Sequence, residues 1–165
     1  MRSIICDAGP ILHLAEAELS WLLGAAGKVY CPRAVATELE RLQPEWPLLA
    51  GIEVLELSES AQSRATALQN DKGLHLGEAE ALALSEELGV NWFLTDDNAA
   101  RLAAREASLE VHGSLGILLW AAVEGHLDYA AARSGLKRLS QSTLWLSKAI
   151  EREVHDALDQ IFRRS

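Results

Sequence analysis

The sequence predicts an α/β fold: a mainly parallel sheet covered by helices on both faces. Three observations lead there. Short apolar runs alternate with longer amphipathic ones along the chain, the order that a parallel sheet with helical crossovers requires. The runs Ser3 to Cys6 and Trp92 to Leu94 are too short for helices and lack polar alternation, as expected of strands buried on both faces. Each of them ends on an acid, Asp7 and Asp96. In open α/β sheets, ligands sit outside the carboxyl ends of the strands.

Ser3 to Cys6 is the first strand. After Asp7, Gly9 allows a tight turn and Pro10 suits the first turn of a helix continued by Ile11, Leu12 and Leu14. Asp7 is equally well placed to cap that helix. Leu19 to Leu23 forms an apolar helical segment, and Gly24 and Gly27 release the chain into a second strand, Lys28 to Cys31. Pro32 begins the helix PRAVATELERL, with Val35, Leu39 and Leu42 on one face. Glu38 lies about two turns into it. If this helix crosses the sheet edge beside the first strand, Glu38 points at Asp7; a solvated charged face accounts for Glu40 and competes for Glu38. Gln43 to Gly51, with its prolines and Trp46, reads as a loop and a flexible flap. Ile52 to Leu57 alternates polar and apolar residues and is an expected edge strand. Ser58 to Asn70 is a polar helix capped by Ser58 or Ser60, and Asp71 to Gly73 form the turn after it.

The chain is organised around Leu76 to Arg101. Ala79, Leu82, Ala83 and Leu88 fall on one helix face, and Gly89 terminates that helix. The buried strand Trp92 to Leu94 then delivers Asp96 and Asp97 to its end. Asp97 and Asn98 also suit the cap of a helix beginning near Ala99, and Glu78 and Glu80 suit the positive end of their own helix. Leu109 to His112 is the last short strand. Gly113 and Ser114 start an apolar helix, Tyr129 to Leu139 is helical, and Ser147 to Phe162 carries Ile150, Val154, Leu158 and Ile161 on one stripe. No repeat, linker or low-complexity tract interrupts the order, so residues 1–165 form one expected domain with the helix 147–162 packed on it.

Composition narrows the function. The 165 residues suit one domain with a proper core. With 49% hydrophobic and 24% charged residues, the chain is neither disordered nor collagen-like. The apolar runs are too short and interrupted for a transmembrane helix. Asp7 breaks the N-terminal run too early for a secretory signal, so a cytoplasmic location is expected. Cys6 and Cys31 lie in apolar strands without zinc spacing and are expected to be small buried hydrophobes in a reducing compartment. A formal charge of −9 argues against a general nucleic-acid coat. It leaves room for a nuclease, because clustered carboxylates become effectively positive once a metal is bound.

Asp7, Glu38, Asp96 and Glu78 thus stand at strand ends or facing helix positions. Carboxylates about 4 Å apart repel by roughly 4 kcal/mol at an effective dielectric near 20. Either some are protonated, or a hard divalent cation sits among them, and an oxygen-only donor set points to Mg2+ or Mn2+. The histidines His13, His75, His112, His126 and His155 lack ligand spacing and receive no metal role, with His75 the one to watch. Trp92, Trp120 and Trp145 lie in apolar runs and are expected in the core. Trp21 and Trp46 sit in less regular segments, where partner contact or base stacking competes with burial. Thr95 suits either a strand hydroxyl or a carboxylate positioner. Arg101 and Arg105, one turn apart, suit a solvated face or a phosphate.

The segments ICDAGPIL, CPRAVATELE, GEAEALALSEELG and FLTDDNAAR, in this order and followed by GSLGILLWAAVEGHL, resemble the PIN-domain family and its VapC-like branch of toxin ribonucleases. The resemblance spans nearly the whole chain. It implies a three-layer α/β/α sandwich with a mainly parallel sheet. It also implies a Mg2+- or Mn2+-dependent endoribonuclease acting on single-stranded RNA, the toxin of a toxin–antitoxin pair with an antitoxin protein as partner, and a homodimer. Carried over residue by residue, the catalytic and metal-binding acids are Asp7, Glu38, Glu78 and Asp96. Glu80 is the alternative to Glu78 by a two-residue slip, and Asp97 is an extra metal-binding acid or a cap. The third acid is Glu where many relatives carry Asp.

Two other functions fit parts of the pattern. A non-catalytic PIN-like interaction module would use the acids as helix caps and dock a partner around Trp21 and the C-terminal helix. A phosphatase with an aspartyl nucleophile at Asp7 lacks the second Asp two residues on, where that chemistry places its acid.

Overall fold

The computed structural model describes residues 1–46 and 51–164. Five parallel strands, β1 (Ser3–Cys6), β2 (Lys28–Pro32), β3 (Glu53–Leu55), β4 (Trp92–Leu94) and β5 (Glu110–His112), form one sheet in the order β3-β2-β1-β4-β5. β1 is central: Ile4 pairs with Val29 on one side and Trp92 on the other, and Ile5 with Tyr30 and Phe93. Its burial on both faces explains the unbroken apolar run, since Ile4, Ile5 and Cys6 are fully enclosed.

The helices are α1 (Ala8–Glu16), α2 (Trp21–Ala26), α3 (Arg33–Leu42), α4 (Glu59–Lys72), α5 (Leu76–Leu88), α6 (Asn98–Glu106), α7 (Ser114–Val123), α8 (Tyr129–Ser140) and α9 (Lys148–Arg163). α5 lies against β1 and β2, with α3 and α4 packed around it. A second group joins α1, α2, α7 and α8, and α9 packs on α7 and α8. The result is the α/β/α sandwich that the alternation predicts. Apolar α5, buried along most of its length through Ala79, Ala81, Leu82, Ala83 and Leu84, is its innermost helix. α9 shows the contrasting surface pattern: Val154 and Leu158 are buried, Ile161 is partly covered and Ile150 is exposed.

The chain runs from β1 outward through β2 and β3, then crosses to β4 and β5 on the other side of β1. This reversal puts the topological switch point between β1 and β4, where a crevice opens beyond the strand ends. The two ends are tied together, since Asp7 N donates to Leu94 O at 2.8 Å and Thr95 N to His112 O at 2.9 Å.

Several expectations need correction. Gly9 and Gly24 lie inside α1 and α2 rather than in turns, while Pro10 sits in the first turn of α1 as expected. Pro32 still belongs to β2 and caps α3 instead of opening it. The edge strand shortens to Glu53–Leu55 because only those residues pair with β2. Of the expected flap, residues 47–50 lie outside the described residues; Trp46 before them is buried at 3% exposure, which removes it as a stacking surface. Trp92 is buried, but Trp145 is 80% exposed and is not a core residue. Cys6 and Cys31 are buried free thiols, and burial pushes both well above the usual thiol range. Among the described residues no helix is long and apolar enough to cross a membrane.

Candidate active site

A cavity of about 890 Å³ opens at the switch point, and Asp7, Glu38, Glu78, Asp96 and Asp97 all line it. Asp7 comes from the end of β1, Asp96 and Asp97 from just beyond β4, Glu38 from α3 and Glu78 from the first turn of α5. Two further features let the helices close in. A Cβ on Gly77 would meet Glu38 Oε2 at 3.2 Å and Val35 Cγ2 at 3.3 Å, so a residue without a side chain lets α5 lie tightly on α3. A Cβ on Gly113 would fall 2.5 Å from Asp96 Oδ1 and 2.8 Å from Arg101 Nη2, so a glycine is required there.

Asp7 is 5% exposed. Its Oδ1 accepts from Ala8 N at 2.8 Å, the cap expected of it, and its Oδ2 accepts from Thr95 Oγ1 at 3.0 Å. Those two donors do not compensate for its surroundings. Burial first, and then the nearby Glu78 and Glu38 carboxylates, raise its pKa from 3.8 to about 7. Thr95 is the positioner among its two expected roles, because its hydroxyl also accepts from Asp97 N at 3.1 Å and so links both strand-end acids.

Asp96 is in the opposite condition. Burial pushes it up, but hydrogen bonds from His13 and Ser114 outweigh that push and hold it below the usual carboxylate range. His13 Nδ1 lies 2.7 Å from Oδ2, Ser114 Oγ donates to Oδ2 at 2.5 Å and Ser114 N donates to Oδ1 at 2.7 Å. An ionised carboxylate only accepts, so Nδ1 of His13 carries the proton. Asp96 therefore caps α7 across the sheet rather than the helix that follows it. Neither His13 nor Ser114 was singled out by spacing; the sequence signal is that His13 lies four residues after Gly9, on the same face of α1, and that face is the one turned to Asp96.

Glu78 is also raised, by burial first and by Asp97 and Glu38, against a hydrogen bond its Oε2 accepts from His75 N at 2.9 Å. Glu80 points elsewhere: its Oε2 accepts from Ala34 N at 3.1 Å, and it lines a separate cavity with Arg33 and Arg41. Of the two slip-related glutamates, Glu78 is the one beside Asp7. Asp97 Oδ1 accepts from Ala100 N at 2.9 Å and caps α6. His75 is exposed at the rim. Glu40 is exposed and does not line the cavity.

Two cations face these acids. Arg101 and Arg105 both line the cavity, Arg101 partly buried and Arg105 exposed to solvent at its edge. Arg101 Nη2 donates weakly to Thr95 O at 3.4 Å, while its Nε is buried without a hydrogen-bond partner. A buried donor of this kind is costly unless an acceptor arrives, and a phosphate oxygen has the right chemistry.

Among the described residues, no group of three or more His, Cys, Asp or Glu side chains is arranged to hold a metal ion by itself. The acids share a cavity without converging on one point. Their oxygen-only chemistry nevertheless suits a hard cation such as Mg2+, which keeps several waters and takes one or two carboxylates directly. Crowded carboxylates that push Asp7 up are also those whose repulsion a divalent charge would relieve.

A family model described as a PIN domain matches residues 3–160. No curated protein and no solved structure matches the chain.

Proposed function

We propose that this chain, which belongs to the PIN-domain family, is a Mg2+- or Mn2+-dependent endoribonuclease that cuts single-stranded RNA. PIN domains are typically nucleases, and PIN nucleases generally use divalent metal ions. The observation that carries the proposal is the gathering of Asp7, Glu38, Glu78, Asp96 and Asp97 around one cavity at the switch point. The order of the four acid-bearing motifs supports the finer assignment to the VapC-like branch. On that reading the chain is one PIN-like domain acting in the cytoplasm, a homodimer, and the toxin held in check by an antitoxin protein.

Asp7 and Asp96 would hold the ion, with Glu38, Glu78 and Asp97 acting through water. When bound, the ion supplies charge neutralisation at the scissile phosphate and a more acidic attacking water. The chain's own residues do the remainder. Thr95 fixes Asp7, and His13 with Ser114 fixes Asp96 in its ionised form. A carboxylate of the cluster takes the proton of the attacking water as general base. Arg101, with its unpartnered Nε, meets a phosphate oxygen and orients the strand over the acids.

The test is cleavage of a mixed single-stranded RNA pool by pure protein with Mn2+, beside Asp96→Asn and a chelator control. Cutting that disappears in both controls is the expected result. Uncut RNA together with no metal binding by calorimetry overturns the proposal. It would favour the second reading, a non-catalytic interaction module, which has one specific observation behind it: Asp7, Asp97 and Glu78 each accept an N–H at a helix start. A purely structural role needs no more than that.

A further inference from the structure

Trp145 belongs to the cavity that holds the acids, yet nothing among the described residues covers it. The indole is 80% exposed, and among the described residues no aromatic ring or cation stacks on it. Leaving a large apolar ring in water forfeits burial that a side chain of this size normally gains. The segment that carries it is not a loose tip. Thr143 N and Thr143 Oγ1 donate to the two carboxylate oxygens of Glu16 at 2.7 Å and 2.6 Å, which ties the segment to the end of α1. Ser142 Oγ donates to Leu139 O at 2.6 Å and accepts from Leu144 N at 3.1 Å. On the other side Ser147 caps α9 through Ile150 N. Leu144 packs against the core one residue before Trp145, so the chain is anchored on both sides of the exposed ring.

We propose that Trp145 is a stacking platform for an unpaired base of the RNA substrate, next to the nucleotide whose phosphate lies over the acids. The proposal rests on the ribonuclease reading above and deepens it by naming how the strand is held. Two features of the cavity, and the nature of stacking itself, select this occupant. Arg101 and Arg105, which line the same cavity as Trp145, supply positive charge for phosphates. Leu115, Leu146 and Ile150 line the same cavity as the indole and add apolar surface suited to a base face. Stacking on one exposed ring requires a base that is not already stacked in a duplex, which makes single strands the preferred class. Base stacking tolerates any sequence, because every base offers a flat π-face.

Two measurements test it on the full chain. In the first, quenching of indole emission is followed on adding a short single-stranded RNA in the presence of Ca2+, with wild type, Trp145→Phe and Trp145→Ala. The wild type is expected to quench, Trp145→Ala to bind about 5- to 150-fold more weakly by a competing labelled strand, and Trp145→Phe to retain most of the affinity. In the second, single abasic substitutions are placed along the RNA. Wild type should lose affinity at one position and Trp145→Ala should lose nothing further there. With Mn2+, Trp145→Ala should raise KM with kcat within about twofold, as expected for a group that binds without touching the reacting atoms. Equal RNA affinity in wild type and Trp145→Ala overturns the stacking role while leaving the nuclease reading intact, and would assign the exposed indole to a protein partner. Wild type that neither binds nor cuts RNA overturns both.

Discussion

Asp7 and Asp96 end neighbouring strands, line one cavity and are both largely buried, yet they are held in opposite protonation conditions. Asp7 has two donors and two acidic neighbours, and its pKa rises to about 7. Asp96 has three hydrogen bonds from His13 and Ser114, and its pKa falls below the ordinary range. Burial is similar, so it does not decide between them. The number of donors and the sign of the nearest charges do. One half of the site is a pre-built carboxylate, and the other is a carboxylate that an added positive charge would bring into its ionised form.

The sharpest way to break this comparison is to neutralise each acid in turn. Asp96→Asn should lower RNA cleavage by more than about 100-fold. It should also destabilise the metal-free protein by about 1.5–3 kcal/mol, the range for hydrogen bonds to a charged group, read as a drop in Tm. Asp7→Asn should have the opposite sign without metal, raising Tm at pH 8, because it removes a charge that the fold holds at a cost. Equal signs for the two variants would mean that the electrostatic contrast is not real.

Gly113→Ala comes next. Its Cβ would sit 2.5 Å from Asp96 Oδ1 and 2.8 Å from Arg101 Nη2, so Asp96 must shift. A destabilisation of about 1–3 kcal/mol in urea unfolding is expected. Activity should fall through the Asp96 half while the pH behaviour of the Asp7 half is unchanged.

The Asp7 half has its own pH signature. Its folded pKa lies above the ordinary 3.8, at about 7, so between these values the folded protein binds a proton that the unfolded chain has released. Stability from this group is therefore present below pH 3.8 and is lost as pH rises to about 7, with a slope that approaches the one-proton limit of about 1.4 kcal/mol per pH unit. The difference between wild type and Asp7→Asn in urea unfolding across that window isolates it. Mg2+ or Mn2+ should flatten the slope by favouring the ionised form. Asp96 behaves conversely: its contribution is present above 3.8 and is lost as pH falls below it.

The smallest effect should be Asp97→Asn. Asn caps a helix about as well as Asp, so stability should change by only a few tenths of a kcal/mol. If cleavage falls more than about tenfold, Asp97 acts on the metal as well as on α6.

Much of the fold was legible in local pattern. β1 and β4 run over the residues that their uninterrupted apolar runs marked, Ser3–Cys6 and Trp92–Leu94, because a strand buried on both faces leaves no room for polar alternation. The acids at their ends were visible for the same reason: a strand that stops fixes where its next side chain emerges. Trp145 was misplaced because an apolar neighbourhood is a local signal, and whether it faces the core depends on how Thr143 and Ser147 anchor the chain.

The sequence by itself determined the strand and helix order, and with it a parallel sheet whose switch point carries Asp7 and Asp96, since periodicity and strand ends are properties of neighbouring residues. Only the tertiary structure decided the state of those acids. His13 is 83 residues from Asp96 and Ser114 is 18 away, and the turn of α5 that brings Glu78 rather than Glu80 beside Asp7 is set by its packing on α3. A carboxylate's pKa is fixed by the donors and charges within a few ångströms of it, and which residues those are is settled by packing between distant segments.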